Sequence, residues 1–173
     1  MSTEVTLTPN ELIQHLGQPV LIESVGHAKH GQIGILRYVR DRIEGNAMTP
    51  TAGVSFQGEP FVRTIPPPCV RLILRPLVDL TEFEARQCFR SGFPYWDQRE
   101  EVRLVRGEAQ IELISGPIKL LITADGAVSS ERWIDGLASP ARVNIVALLR
   151  YLDSLCIDTY GYIERGVAVP PTT

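Results

Sequence analysis

The stretch from Val102 to Gly126 leaves this chain the fewest options. Val102-Arg-Leu104, Ala109-Gln-Ile-Glu-Leu113 and Ile118-Lys-Leu-Leu-Ile122 each alternate apolar and polar residues. Alternation at a period of two sends one set of side chains to a core and the other to water. Turn formers separate the runs: Gly107, Gly116-Pro117 and Asp125-Gly126, the last a type I′ hairpin pair. Short connections join antiparallel neighbours, so the region reads as an antiparallel sheet with one wet face.

The dry face needs a cover, and helix signals stand on both sides of it. Thr81-Glu-Phe-Glu84 is a capping box opening a helix that runs to about Arg90 and stops at Gly92. Ser139-Pro140 has the form of a cap followed by proline at the first helical position, and predicts the longest helix of the chain. Ile145, Leu148, Leu149, Leu152, Leu155 and Cys156 recur at helical spacing and would lie on the sheet. Asp158 is expected to cap a last short helix ending at Gly166, with Val167-Ala-Val169 as an edge strand.

The first half of the chain reads differently. Thr8-Pro9-Asn10-Glu11 is a second capping box, followed by Leu12, Ile13 and Leu16, and Gly17 closes a short helix over about 9–16. Five short β segments follow: Val20–Val25, Gln32–Val39, Val54–Phe56, Phe61–Ile65 and Val70–Arg75. Their turns fall at Gly26–Gly31, Gly45-Asn46, Gly58 and Pro66-Pro67-Pro68. Short strands and tight turns suggest a small curved sheet or SH3-like barrel over 18–76. The fold expected is therefore α+β: an N-terminal helix and barrel-like lobe over 1–80, then an α+β lobe over 81–173, the two able to share one core.

Composition excludes more than it identifies. Hydrophobic residues make up 44% of the 173, enough for a packed interior. No apolar run reaches the ~18–20 residues needed to span a bilayer. The start, Met1 to Thr8, has neither a basic region nor an apolar one, so it does not read as a signal peptide and the expected location is cytoplasmic. Cys69, Cys88 and Cys156 form no C-x-x-C pair and read as small apolar residues. A net charge of −3 carries no basic stripe for duplex nucleic acid. The cations are 15 Arg and 2 Lys, a bias that suits planar or multidentate anions and that a GC-rich genome also produces.

Catalytic motifs are missing. His15, His27 and His30 all lie in the first 30 residues, and no G-x-S-x-G is present. His27-x-x-His30 offers two imidazoles to a metal, but only Glu23 stands nearby as a third ligand and Lys29 sits between them. The same loop suits an anion better, since Gly26, Lys29, His30 and Gly31 supply cations and adaptable backbone donors. Arg37 lies on the strand that follows. Tyr95-Trp96 with Arg99, and Trp133 beside Arg132, could each stack a flat ring and pair an anion. Aromatics beside turns also serve simply as plugs for the edge of a core. Glu82/Glu84 and Glu100/Glu101 sit where helix dipoles or solvent account for them.

Three lines of text carry a resemblance: Glu11-Leu-Ile-Gln-His-Leu16, Arg71-Leu-Ile-Leu-Arg-Pro-Leu-Val-Asp-Leu-Thr81 and Leu155-Cys-Ile-Asp-Thr-Tyr-Gly-Tyr-Ile-Glu-Arg-Gly-Val-Ala-Val169. Together they resemble a group of small uncharacterised proteins of Bacteroidetes phages and prophages, whose motifs read roughly ILRPLSDLT and FDVFGLIxxGLAI. The resemblance covers about a third of the chain. This sequence departs from it at Ile157, where the group carries an aromatic, and in a longer insertion between the motifs. The resemblance implies a mobile-element setting in a bacterial host and no activity.

The expectation is a non-enzymatic accessory protein, without cofactor or metal. Its first form is a counter-defence binder that sequesters a signalling nucleotide or blocks a host immune protein. The alternatives are a virion or assembly protein and, more weakly, a small phosphate-ester hydrolase using His27 and His30. The residues nominated for a ligand are Lys29, His30, Arg37, Tyr95, Trp96, Arg99, Arg132 and Trp133. A small anionic ligand or a host protein is the expected partner, with homo-oligomerisation through uncovered sheet edges open. Neither a membrane nor a nucleic-acid duplex is expected to be one.

Overall fold

Thr8 begins the first helix in the way its sequence demands. Its hydroxyl accepts the Glu11 amide at 3.3 Å while the Glu11 carboxylate accepts the Thr8 amide at 2.8 Å, closing the capping box. The helix it opens, α1 (Pro9–Ile13), is shorter than expected, and the chain passes through turns to Gly17, whose φ is +88°. The computed structural model describes residues 6–24, 26–44, 47–95 and 100–171. These residues divide into two units, one of 1–74 with 163–173 and one of 75–162. The expected boundary at 80 thus lies six residues later than the observed one, and the chain's last segment returns to the first unit.

In the first unit the strands are β1 (Pro19–Ile22), β2 (Ile33–Glu44), β3 (Ala47–Ser55), β4 (Val62–Ile65) and β5 (Val70–Ile73), with a one-turn 3-10 helix at Pro67–Cys69 before β5. A final strand, β11 (Ala168–Val169), is the expected edge strand. The sheet order is β11-β5-β1-β2-β3-β4: β1 to β4 form a meander, β5 crosses over to pair with β1 as in the strand order of an SH3-like barrel, and β11 is added parallel to β5. Leu12, Val20, Ile22, Leu36, Val54, Ile65 and Leu72 have no exposed surface and form the core. Two glycines are fixed by close approach. A Cβ on Gly34 would lie 2.4 Å from Val54 Cγ1, and one on Gly53 would lie 2.3 Å from the Tyr38 ring.

The second unit is the sheet that the alternating pattern predicts, enlarged. Its strands are β6 (Arg103–Arg106), β7 (Gln110–Ser115), β8 (Ile118–Thr123), β9 (Val128–Ile134) and β10 (Leu137–Pro140), in the order β10-β9-β8-β7-β6, all antiparallel. Helix α2 (Glu82–Gly92) opens on the Thr81 capping box as expected and packs against α3 (Ile145–Ser154). Phe89, Cys88, Leu148 and Leu152 join Ile111, Leu113, Leu120 and Ile122 in one buried cluster.

Ser139-Pro140 opens no helix. Both residues lie in β10, α3 begins five residues later, and the Asn144 carbonyl-amide oxygen caps it by accepting the Ala147 amide at 3.1 Å. The physical reason is the turn at Asp135-Gly136, where φ values of 50° and 80° make a type I′ hairpin and return the chain as an edge strand. The Ala141 amide bonds inward to Ser130 O at 3.1 Å, so the preceding Pro140 faces outward, where a missing N–H breaks no ladder bond. At 11 residues against 10, α2 rather than α3 is the longest helix.

Nor does Asp158 cap a helix. Its carboxylate accepts the Tyr160 and Tyr162 amides at 3.2 and 3.0 Å, closing a turn, and 162–166 is turn as well. The two text motifs nevertheless meet. Ala168 and Val169 pair with Leu72 and Ile73 in the first unit, and Ile157 bridges Arg75 in the second. Among the described residues no helix is long and apolar enough to cross a membrane.

Candidate functional site

The sheet of the second unit shows how a site arises where a core runs out. On its dry face, side chains form rungs across the strands. Ile111, Ile122 and Val128 make one rung, Leu113, Leu120 and Ser130 the next, and Ser115, Ile118, Arg132 and Ser139 the last. Ile111, Ile122, Leu113 and Leu120 of the first two rungs sit in the cluster shared with α2 and α3, and Val128 packs against it. The last carries an exposed arginine where the same strand's other two rungs carry half-buried Val128 and Ser130.

That rung is part of the floor of a groove of about 510 Å3. Ile118, Arg132, Ile134 and Ser139 come from the sheet; Phe93, Pro94 and Tyr95 follow α2; Pro140, Ala141 and Arg142 lead towards α3. The size suits a small molecule. The described lining is apolar apart from Ser139, the Tyr95 hydroxyl and two guanidinium groups, and holds no carboxylate, histidine or cysteine. The Ser139 hydroxyl is spent on the Arg132 carbonyl at 3.3 Å, which ties β10 to β9 below the groove. Tyr95 is fully exposed at its rim.

Two of the nominated residues, Tyr95 and Arg132, are therefore brought together from positions far apart in sequence. Trp96 and Arg99 lie outside the described residues. Trp133 is separated from Arg132 because successive strand residues point to opposite faces. It stands half exposed on the wet face, and its indole N–H donates to Glu131 at 3.3 Å. Neighbours there include the Lys119–Glu112 ion pair at 3.1 Å.

The N-terminal nominations fall in the first unit. Both histidines of the 26–31 loop act as internal locks: His27 Nδ1 accepts the Lys29 amide and His30 Nδ1 accepts the Ser24 amide, each at 3.1 Å. Lys29 pairs with Glu59 and lies 4.9 Å from the Phe56 ring centroid. The bonds from Lys29, then from Arg63, hold the Glu59 carboxyl below its ordinary pKa. Arg37 donates to the Ser55 hydroxyl at 2.7 Å across the β2–β3 pair. No group of three or more potential metal ligands exists among the described residues.

Sequence reasoning missed Arg142, Phe93 and Pro140 as groove residues. A signal existed for one of them: Pro140 is a strand proline, and reading it as a helix opener hid the hairpin that builds the floor. No protein-family model, no curated protein and no solved structure matches the chain.

Proposed function

We propose that this protein is a non-enzymatic binding protein that holds an anionic ligand with a flat apolar part in the groove of the second unit. One observation carries the reading. Arg132 shares a sheet face with the core residues but stands exposed in a mostly apolar groove, and no carboxylate faces it from the described lining. Because Arg132 is exposed in the groove, its charge stays hydrated and its fork is available to an anionic guest. With Arg142 on the same groove, two forks are available to a phosphate, while Tyr95 and Phe93 offer rings to a flat partner. Side chains able to move a proton near neutral pH are lacking in the described lining, which favours holding a ligand over transforming it.

Nucleotides combine both features, and in the cytoplasm of a phage-infected host the reading becomes sequestration of a signalling nucleotide. Isothermal titration with cyclic dinucleotides and ADP-ribose tests it. We expect binding by at least one of them, weakened about tenfold or more by Arg132→Ala. Silence from every nucleotide tested, or binding that Arg132→Ala and Arg142→Ala leave untouched, removes the reading.

A second reading, assembly with other protein copies, has its own support. The β2–β3 ribbon runs past its neighbouring strands, and its cross-strand pair Ile43 and Met48 is 73% and 72% exposed. Light scattering over a concentration series, with Ile43→Ser as the control, decides it; a monomer throughout ends this reading.

A further inference from the structure

The first unit holds a second cleft, of about 550 Å3, lined by His27, Ala28, Lys29, Arg63 and Thr64. Its chemistry differs from that of the groove. Lys29 reaches it from the β1–β2 loop, and Arg63 and Thr64 reach it from β4. The His27 ring has its tautomer set by the fold. Because Nδ1 accepts the Lys29 amide at 3.1 Å, the ring proton sits on Nε2, and the residue presents an N–H donor. Four residues with donor-bearing side chains, His27, Lys29, Arg63 and Thr64, thus border one cleft.

A carboxylate already engages Lys29 and Arg63. Glu59 accepts from Lys29 Nζ and, at 2.9 Å, from Arg63 Nε. Glu59 itself is not among the cleft's lining residues. The Arg63 fork spends its Nε on the carboxylate and retains four N–H donors on its two terminal nitrogens. The Lys29 ammonium has three N–H donors and also rests on the Phe56 ring. The arrangement is that of an oxyanion site with an internal competitor, a planar two-oxygen anion sitting on donors that a tetrahedral one can use more fully.

We propose that this cleft binds a phosphate group, and that the phosphate competes with the Glu59 carboxylate for Lys29 and Arg63 while taking the His27 Nε2–H as a further donor. No covalent step is involved. The recognised chemistry is a phosphate oxyanion, whether free or at the end of a monoester. The proposal stands apart from the groove reading, since it uses none of the groove's residues.

The test follows the His27 ring resonances by NMR during titration with inorganic phosphate and, in a second arm, with AMP. Arg132→Ala is kept in the background of every sample so that the groove does not contribute. Saturable movement of the His27 signals is expected in both arms. Glu59→Gln, which keeps an amide in place of the competing charge, should tighten binding about two- to fivefold. Lys29→Met should weaken it, with a thermal melt confirming that each variant is folded. Tighter binding of AMP identifies a monoester end as the preferred source, and equal binding identifies free phosphate; both uphold the site. His27 signals unmoved by either anion, or Glu59→Gln binding no more tightly than the parent, would overturn it.

Discussion

Two rungs on one face of one sheet, a single step apart, have opposite fates. Leu113, Leu120 and Ser130 lie beneath α2 and α3; in the next rung Ser115 is still buried and Ile118 half-buried, while Arg132 and Ser139 lie exposed in the groove. The strands, their pairing and their alternation are the same in both. What differs is the cover, and with it whether a side chain contributes to stability or to recognition. Leu113 and Leu120 in the first rung are fully buried within the apolar cluster. Arginine in the second faces a groove with room for a guest.

The largest effect should come from the covered rung. Leu120 is fully buried, and Leu120→Ala leaves a cavity between sheet and helices. A loss of about 2–5 kcal/mol in chemical denaturation is expected. A loss under 1 kcal/mol would mean that the two rungs are not so different after all.

The far end of the same face offers the next contrast, because there the sheet is closed by backbone. Gly126, at φ +84°, lies so close to the 157–162 turn that a Cβ would stand 2.3 Å from the Thr159 carbonyl oxygen. Gly126→Ala should cost about 1–3 kcal/mol through left-handed strain and displacement of that turn. Full retention of stability would show that the turn yields freely and that this end is as open as the groove.

A third test concerns what pins the cover. The Arg75 fork donates to both Glu84 oxygens at 2.7 and 3.1 Å, and Thr81 adds its amide at 2.8 Å. Arg75 foremost, with Thr81 assisting against burial, holds the Glu84 carboxyl at about 2, below its ordinary 4.5. A carboxyl depressed in the folded state stabilises fully above its unfolded pKa, and that contribution fades as pH falls from about 4.5 towards about 2. Solvent reaches part of the pair, so a contribution of about 1–2 kcal/mol is expected. Glu84→Gln should be less stable than the parent by that amount near neutral pH, with the difference closing as pH falls through about 2. A difference unchanged across that window would release Glu84 from this role.

How far the sequence announces these features depends on whether the signal is local. Both capping boxes are local, four residues each, and both form as written. The alternation of 110–122 is equally local and yields β7 and β8 directly. The Asp158 turn fails the same reading because an Asx-type acceptor closes a turn and a helix start alike. Ser139-Pro140 fails because a cap followed by proline and an edge strand carrying an outward proline look identical until the pairing partner is known. Asp135-Gly136, the hairpin signal between them, is the clue that resolves it. The groove was legible only in part. Tyr95 and Arg132 were individually visible as types, but Arg142 gains meaning only from the layer geometry that places it beside Arg132. Splitting Arg132 from Trp133 needs nothing beyond the two-residue period, once the segment is known to be a strand.

The smallest expected effect on stability is also the sharpest test of the contrast. Arg132 makes no hydrogen bond or ion pair through its guanidinium with any described residue, and its strand is fixed by backbone pairing on both sides. Truncation to alanine removes a charge from an apolar groove and leaves Ile118 and Ile134 in place. Chemical denaturation of Arg132→Ala should therefore fall within about 0.5 kcal/mol of the parent, in either direction. The same variant is the one expected to lose nucleotide binding. Stability kept while binding goes is the signature of a residue placed for a guest. A loss of 1 kcal/mol or more would instead show the guanidinium supporting the fold, and the uncovered rung would become one more piece of core.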